Sequence, residues 1–317
     1  MTVDNNASLK EEILRLKKEK HAVIMAHYYV PAEVQEVADH IGDSLALAQI
    51  AQKVEEPVIV LCGVGFMGET AKILCPDKTV LIPDPQAGCS LADSCPAGEF
   101  RKFVEEHPGH TVVSYVNTSA EVKALSDVLV TSSNALKIVD SFPADEKIIF
   151  GPDRNLGSYI AAETGRDLLV WDGACHVHER FSLEGILKLK KEHPQAKLLV
   201  HPECPRPVVL VADSVGSTAA LLEFAVKSDA SEFIVATEPG ILYEMRRRAP
   251  DKTFIPAPPE TSEGNVGCSC NDCSFMKLNT LRKLRDCLAA GAPQVTVDPD
   301  TAAAAIRPIQ RMLDLSK

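Results

Sequence analysis

The 317-residue sequence has few basic side chains for its acidity and no long apolar run near its N-terminus. Lysine and arginine total 33 against 44 aspartates and glutamates, a net charge of −11. That deficit excludes a dominant surface for nucleic acid or anionic membrane, since both need a basic face to neutralise phosphate. Local basic pockets stay open. The opening MTVDNNASLKEEILRLKKEK has no apolar stretch after its charges, and its lysines alternate with glutamate. It therefore reads as neither secretory signal, membrane span nor transit peptide, and the expected location is the cytoplasm. No CxxxCxxC spacing occurs, which leaves the usual radical S-adenosylmethionine chemistry unsupported. Disulfides are not required either, because a chain of this length buries roughly 75% of its unfolded surface. The ten cysteines are left with ligation, catalysis or burial.

What the sequence does have is alternation. Short apolar runs bounded by Gly, Pro or Asp, such as Val58-Ile59-Val60-Leu61, Lys147-Ile148-Ile149-Phe150 and Phe233-Ile234-Val235-Ala236, suit buried parallel strands. Segments of helical period lie between them, for example Leu45 to Val54 and Thr218 to Lys227. Together they predict an α/β fold with parallel sheets.

Sliding the sequence along itself reveals a triplication. The stretches beginning VIMAHYYVPAEV at Val23, VVSYVNTSAEV at Val112 and LLVHPECPRPV at Leu198 share one order of parts. Each reads as a strand, a polar or aromatic residue at its end (His27, Tyr115, His201), a helix, an Asp, and a Ser/Thr cluster opening another helix. From His27 to Ser44 and from Tyr115 to Ser132 is 17 positions, and from His201 to the Ser217-Thr218 pair begins at 16. Pro76-Asp77-Lys78-Thr79 recurs as Pro250-Asp251-Lys252-Thr253, two periods on.

The expected organisation is an N-terminal helix and lead-in over 1–22, then α/β repeats over 23–108, 109–195 and 196–317. Each repeat has three strands, and the last carries a cysteine-rich insertion and C-terminal helices. Three similar three-layer αβα domains with short parallel sheets would be related by a pseudo-threefold axis, by analogy with closed rotational assemblies. Parallel sheets place function beyond their strand C-termini, so three such edges facing one axis would share a central site.

Each unit ends its last strand in a loop with cysteine: Cys89 in PDPQAGCSLADSC, Cys175 in WDGACHVHE, and Cys268, Cys270 and Cys273 in PAPPETSEGNVGCSCNDC. Three converging thiolates are soft ligands that suit an iron-sulfur cluster or zinc. Zinc would take a fourth ligand such as His176 or His178, whereas a four-iron cluster would keep one iron free as a Lewis acid. Cys270 and Cys273 also form a CxxC pair with metal or redox potential. Cys62, Cys75, Cys204 and Cys287 read as small buried hydrophobes, and Cys95 has no assigned role.

A competing signal is Gly63-Val-Gly65-Phe-Met-Gly68 after a strand, with Asp84 at the end of the next. It satisfies the dinucleotide pattern and would make the protein a nicotinamide-dependent oxidoreductase. The matching turns read Gly151-Pro-Asp-Arg-Asn-Leu-Gly157 and Ala236-Thr-Glu-Pro-Gly240, so this loop is one of a repeated set and takes second place.

With the cysteine loops placed, the sequence resembles the quinolinate synthase family of NAD biosynthesis. The segments that carry the resemblance run along nearly the whole chain: AHYYVPAEVQEVADHIGDSLALA, CGVGFMGETAKIL, AGCSLADSCP, SYVNTSAEVKA, GPDRNLG, CHVHERF, HPECP, ADSVGSTA and CSFMKLNTL. It implies three α/β domains around a 4Fe-4S cluster held by Cys89, Cys175 and Cys273. It also implies a transferase reaction that condenses iminoaspartate with dihydroxyacetone phosphate to quinolinate, losing phosphate and water.

Under that resemblance Glu203 and His201 are the expected acid/base residues, with Tyr29 assisting and His178 near the cluster. His27, Ser44, Tyr115, Asn117, Ser132, Ser217 and Thr218 are expected to bind substrate with them. Hydroxyls and N–H groups at helix starts make neutral anion sites, and histidine, glutamate and tyrosine suit proton transfer. A transient contact with the L-aspartate oxidase or aspartate dehydrogenase that supplies iminoaspartate is expected from the family. Another three-domain cluster enzyme, or a purely structural repeat protein, are the remaining alternatives.

Overall fold

The computed structural model describes residues 2–260 and 271–317, so Cys268 and Cys270 lie outside the described residues. Its strands form three four-stranded sheets, all parallel. The first holds β1 (Ala22–His27), β2 (His40–Gly42), β3 (Val58–Cys62) and β4 (Thr79–Leu81) in the order β2-β1-β3-β4. The second holds β5 (Thr111–Tyr115), β6 (Val128–Val130), β7 (Ile148–Gly151) and β8 (Leu168–Val170) in the order β6-β5-β7-β8. The third repeats it as β10-β9-β11-β12, from β9 (Lys197–Val200), β10 (Ser214–Val215), β11 (Glu232–Ala236) and β12 (Thr253–Pro256).

Each unit thus has four strands rather than the expected three. The extra one is the second, an edge strand of two or three residues, too short to produce an apolar run of its own. The central strands behave as their composition dictates. AVIMAH of β1 is buried throughout because helices cover both faces of a parallel sheet.

The aspartate repeated in the sequence holds each short strand in place. Asp39, Asp127 and Asp213 each accept the N–H of a first-strand residue (Ile24, Val112 and Leu198) at 2.8 Å. Each also donates its own N–H to the carbonyl of that same residue, at 2.8 to 2.9 Å. Ile24, Val112 and Leu198 in turn pair with Val60, Ile149 and Ile234 on the third strands. Residue-by-residue equivalence of the three units follows from this shared register.

The C-terminal helices do not extend the third unit. Helix Leu281–Ala290 packs on helix Thr2–Glu19, and helix Pro299–Leu315 lies across β6 and helix Ala120–Ala124 of the second unit. Their apolar faces, including Leu281, Leu284, Leu288, Ile309 and Met312, join the core of the first two units. Between them Val295 donates its N–H to Val80 at 2.8 Å and covers the outer edge of β4. No helix among the described residues is long and apolar enough to cross a membrane.

Replacing Asp127 by Ala leaves the Val112 N–H without its carboxylate. The expected cost is about 1–3 kcal/mol in urea unfolding; a change below about 0.5 kcal/mol would show that the contact carries no stability.

Candidate active site

The carboxyl ends of the three sheets face one cavity of about 730 Å³, mouth included. His27 and Tyr115 end the first strands of their sheets and His201 follows Val200 at the end of the third, and all three line it. Tyr29, Ser44, Asn117, Ser132, His178, Glu203, Thr218, Cys89, Cys175 and Cys273 line it as well. The expected site residues therefore meet at one place, with one exception.

Ser217 is that exception. It caps helix Thr218–Lys227 by accepting the Ala220 N–H at 3.2 Å and is not among the residues lining the cavity. The true counterpart of Ser44 and Ser132 is Thr218, which restores the 17-residue interval from His201. Of the hydroxyl cluster only Ser217 is an N-cap: Asp43 caps the helix that Ser44 begins, and Ser132 sits before the Asn134 that opens helix Ala135–Asp140. In the cavity the hydroxyls of Ser44, Ser132 and Thr218 remain, one from each unit.

The three cysteines occupy equivalent turns. Their carbonyls accept the N–H four residues on, from Asp93, Glu179 and Lys277 at 2.9, 2.9 and 3.1 Å. The N–H groups two and three residues on point at each sulfur: Leu91 and Ala92 at Cys89, Val177 and His178 at Cys175, Phe275 and Met276 at Cys273. Such N–H groups favour a thiolate, but burial wins in the metal-free protein. It pushes the Cys89 thiol up to about 12 and raises those of Cys175 and Cys273; Glu203 adds to the effect at Cys89 and Cys175, and Glu238 at Cys273, where Lys277 opposes it. A cation would reverse that balance, because thiolate ligation releases the proton. Soft sulfur donors in equivalent turns, with Val64, Phe66, Phe275 and Met276 in the same wall, fit a metal cluster. Cys175, His178 and Glu203 additionally bring one donor atom each within 4.8 Å of one another.

Glu203 is the hub of the polar wall. It is 2% exposed, accepts the Tyr115 hydroxyl at 2.5 Å on one oxygen, and meets His178 Nδ1 at 3.1 Å on the other. His178 Nε2 lies 2.9 Å from Thr237 Oγ1, which is 2.8 Å from the Tyr29 hydroxyl, and that hydroxyl touches Thr218 Oγ1. A continuous hydrogen-bonded path thus runs from Glu203 to Thr218 through all three units. His201 stacks on His178 with centroids 4.4 Å apart and its Nε2 reaches Ser132 Oγ at 3.3 Å.

Burial works to raise the Glu203 carboxyl, but the neighbouring His178 and the hydrogen bonds from His178 and Tyr115 hold it low. Burial takes His27 and His201 down to about 3, so both rings are neutral at neutral pH. Hydrogen bonds, rather than a His201 cation, then answer the Glu203 charge. Burial also raises Tyr29 and Tyr115 well above the ordinary phenol value, which keeps both protonated.

Thr237, Asp153, Glu238 and Ser90, whose hydroxyl lies 2.5 Å from the expected candidate ligand His176, belong to the same region and are not among the residues the sequence points to. The signal for the first three was the repeated turn after the third strand, which reads Gly63-Val64, Pro152-Asp153 and Thr237-Glu238 in register. The glycine loop itself is already engaged. Gly65 donates its N–H to Ala87 at 2.7 Å, and Asp84, the acidic residue of the dinucleotide pattern, pairs with Lys283.

The depressed histidines fix the sign of a pH effect. Between pH of about 6.5 and 3 the unfolded chain protonates His27 and His201 while the folded chain does not, so stability falls as pH falls. For metal-free protein we expect a slope near 1.4 kcal/mol per pH unit for each ring in that window, from urea titrations between about pH 6 and 5. His201→Asn should remove about half of it. Stability unchanged over that range would show that the rings are not held neutral.

Comparison with known proteins agrees with the site. The family model described as quinolinate synthetase A protein matches residues 11–314. A quinolinate synthase of Synechococcus sp. is 53% identical over 315 residues, covering 99% of this chain and 97% of the relative. That of Trichormus variabilis is 56% identical over 301 residues, with 95% and 91% covered. That of Chloroherpeton thalassium is 53% identical over 309 residues, with 98% and 95% covered. A match of this length, laid over three equivalent cysteine turns and a Glu203-centred polar wall in one cavity, makes this chain a member of the quinolinate synthase family of NAD biosynthesis.

Proposed function

We propose that the protein is a transferase that condenses iminoaspartate with dihydroxyacetone phosphate to quinolinate, with a 4Fe-4S cluster ligated by Cys89, Cys175 and Cys273. The observation that carries the reading is the equivalence of those three cysteine turns around one cavity. Atom balance of the reaction closes with one phosphate and two waters and needs neither oxidant nor reductant. When bound, the cluster would supply an iron without a protein ligand as a Lewis acid.

The remaining work falls to the chain. Ser44, Ser132 and Thr218, with Asn117, offer neutral hydrogen bonds to two carboxylates and a phosphate. Glu203, kept ionised, accepts protons as carbon–carbon bond formation and dehydration require, with neutral His201 as the second acceptor. Tyr29, kept protonated, donates, and the path through His178 and Thr237 can return to it the proton that Glu203 has taken. His27 stands beside Tyr29, with ring centroids 4.5 Å apart, and accepts its backbone N–H at 3.2 Å.

The three repeats over 23–108, 109–195 and 196–317, the last counted with C-terminal helices that pack on the first two units, a cytoplasmic location, and a passing contact with the L-aspartate oxidase or aspartate dehydrogenase that makes iminoaspartate complete the proposal. The Cys175, His178 and Glu203 set favours a second reading, a single zinc with an open position.

Protein purified without oxygen should carry about four iron and four sulfide and form quinolinate from the two substrates. Serine at Cys89, Cys175 or Cys273 should abolish both cluster and product, while Cys204→Ser should keep both. A colourless protein that binds only zinc would sink the cluster reading, and a loaded cluster with no quinolinate formed would point to other cluster chemistry.

A further inference from the structure

Asp153 and Glu238 occupy the same position in their units, four residues beyond the paired Ile149 and Ile234, and both side chains are completely buried. We propose that they are positioning residues for the cysteine turns, each carboxylate tying one turn's backbone to the start of the helix that follows its sheet's third strand. Asp153 Oδ1 accepts the Leu156 N–H at 2.7 Å, capping helix Arg154–Thr164, while Oδ2 accepts the N–H of Cys175 at 3.2 Å. Glu238 Oε2 accepts the Gly240 N–H at 2.7 Å before helix Ile241–Arg248. Its Oε1 accepts the N–H of Cys273 at 3.2 Å and pairs with Lys277 Nζ at 2.7 Å. Lys277 also donates to the Tyr29 carbonyl at 2.7 Å, so the second clamp reaches the catalytic wall.

The first unit has Val64 at this position and no such acceptor. Its cysteine loop is tied by backbone instead, Gly65 N–H to the Ala87 carbonyl at 2.7 Å. The second unit repeats that bond between Arg154 and Gly173 at 2.8 Å, whereas Pro239 of the third has no N–H to give. Cys175 is therefore held by both kinds of tie, and Cys273 depends on the carboxylate. A buried carboxyl beside a thiolate ligand is electrostatically unfavourable and costly to desolvate. Its presence in two units is explained by the direction it imposes on the ligand's backbone.

This inference rests on the reading of the three cysteines as ligands of one cluster. Both oxygens of each acid receive N–H groups, so an amide must turn its NH2 toward one of them. Asp153→Asn and Glu238→Gln therefore keep shape and lose a tie. In holoenzyme reconstituted without oxygen, each variant should lose iron to a chelator about tenfold faster than wild type, the scale at which outer-shell partners act. Each should also show an altered electron paramagnetic resonance spectrum of the reduced cluster and an upward shift in its potential. Leu313→Ala, destabilised in the last helix and outside the cavity wall, should match wild type in spectrum and potential.

Amide hydrogen exchange in the metal-free protein keeps the test open for a variant that loads poorly, with faster exchange expected at Cys175 for Asp153→Asn and at Cys273 for Glu238→Gln. Variants that match wild type in release rate, spectrum, potential and exchange would overturn the positioning role alone. A wild-type protein that takes up no cluster would overturn both readings.

Discussion

An ionised carboxylate taken out of water is the constraint around which the three sheets are arranged. Glu203 is buried where their carboxyl ends meet, and a charge there is tolerable only if its oxygens find partners. Tyr115 comes from the second sheet, His178 from the loop after it, and His201 from the third. Behind them Thr237 and Tyr29 extend the network into the third and first units. No single unit satisfies the charge alone, so the polar site is also a reason for the units to associate. The close packing they reach is visible at Gly240, where a Cβ would come within 2.7 Å of the Tyr29 Cα.

The three copies share a backbone plan and have divided the chemistry among themselves. Each supplies one hydroxyl at the equivalent helix start, from Ser44, Ser132 or Thr218, and one cysteine turn to the common cavity. The first-strand ends have diverged to His27, Tyr115 and His201, and the positions two residues on to Tyr29, Asn117 and Glu203. One position of the repeat thus holds a phenol, an amide and an acid within a few side-chain lengths. A threefold scaffold repeating the acid of Glu203 would have put three like charges there, which mutual repulsion and desolvation would forbid.

Much of this was legible in the sequence because it is periodic. The central strands announce themselves as apolar runs, and the interval from His27 to Ser44 survives in the other copies because the hooked Asp and the short edge strand fix the path between them. Three kinds of feature escaped. The edge strands are too short for any pattern, as with Ser214–Val215. Thr237, Asp153 and Glu238 lie in a turn whose first copy looks like a dinucleotide loop, so its glycines drew attention away from the side chains in the other two. The 17-residue interval alone favours Thr218 over Ser217; what one-letter code does not reveal is that the Ser217 side chain turns back to cap its own helix.

The placement of helix Pro299–Leu315 bears on the order of events during synthesis. It rests on residues near 120 to 130, far away along the chain, and closes a core shared by the first two units. Contacts so distant in sequence form late, and a chain emerging N-terminus first has no means of making them early. The Cys89 and Cys175 turns therefore exist in the growing chain before the cavity that shields them. Any cofactor they hold can be enclosed only after the third unit's share of the cavity wall, through Met276, has been made.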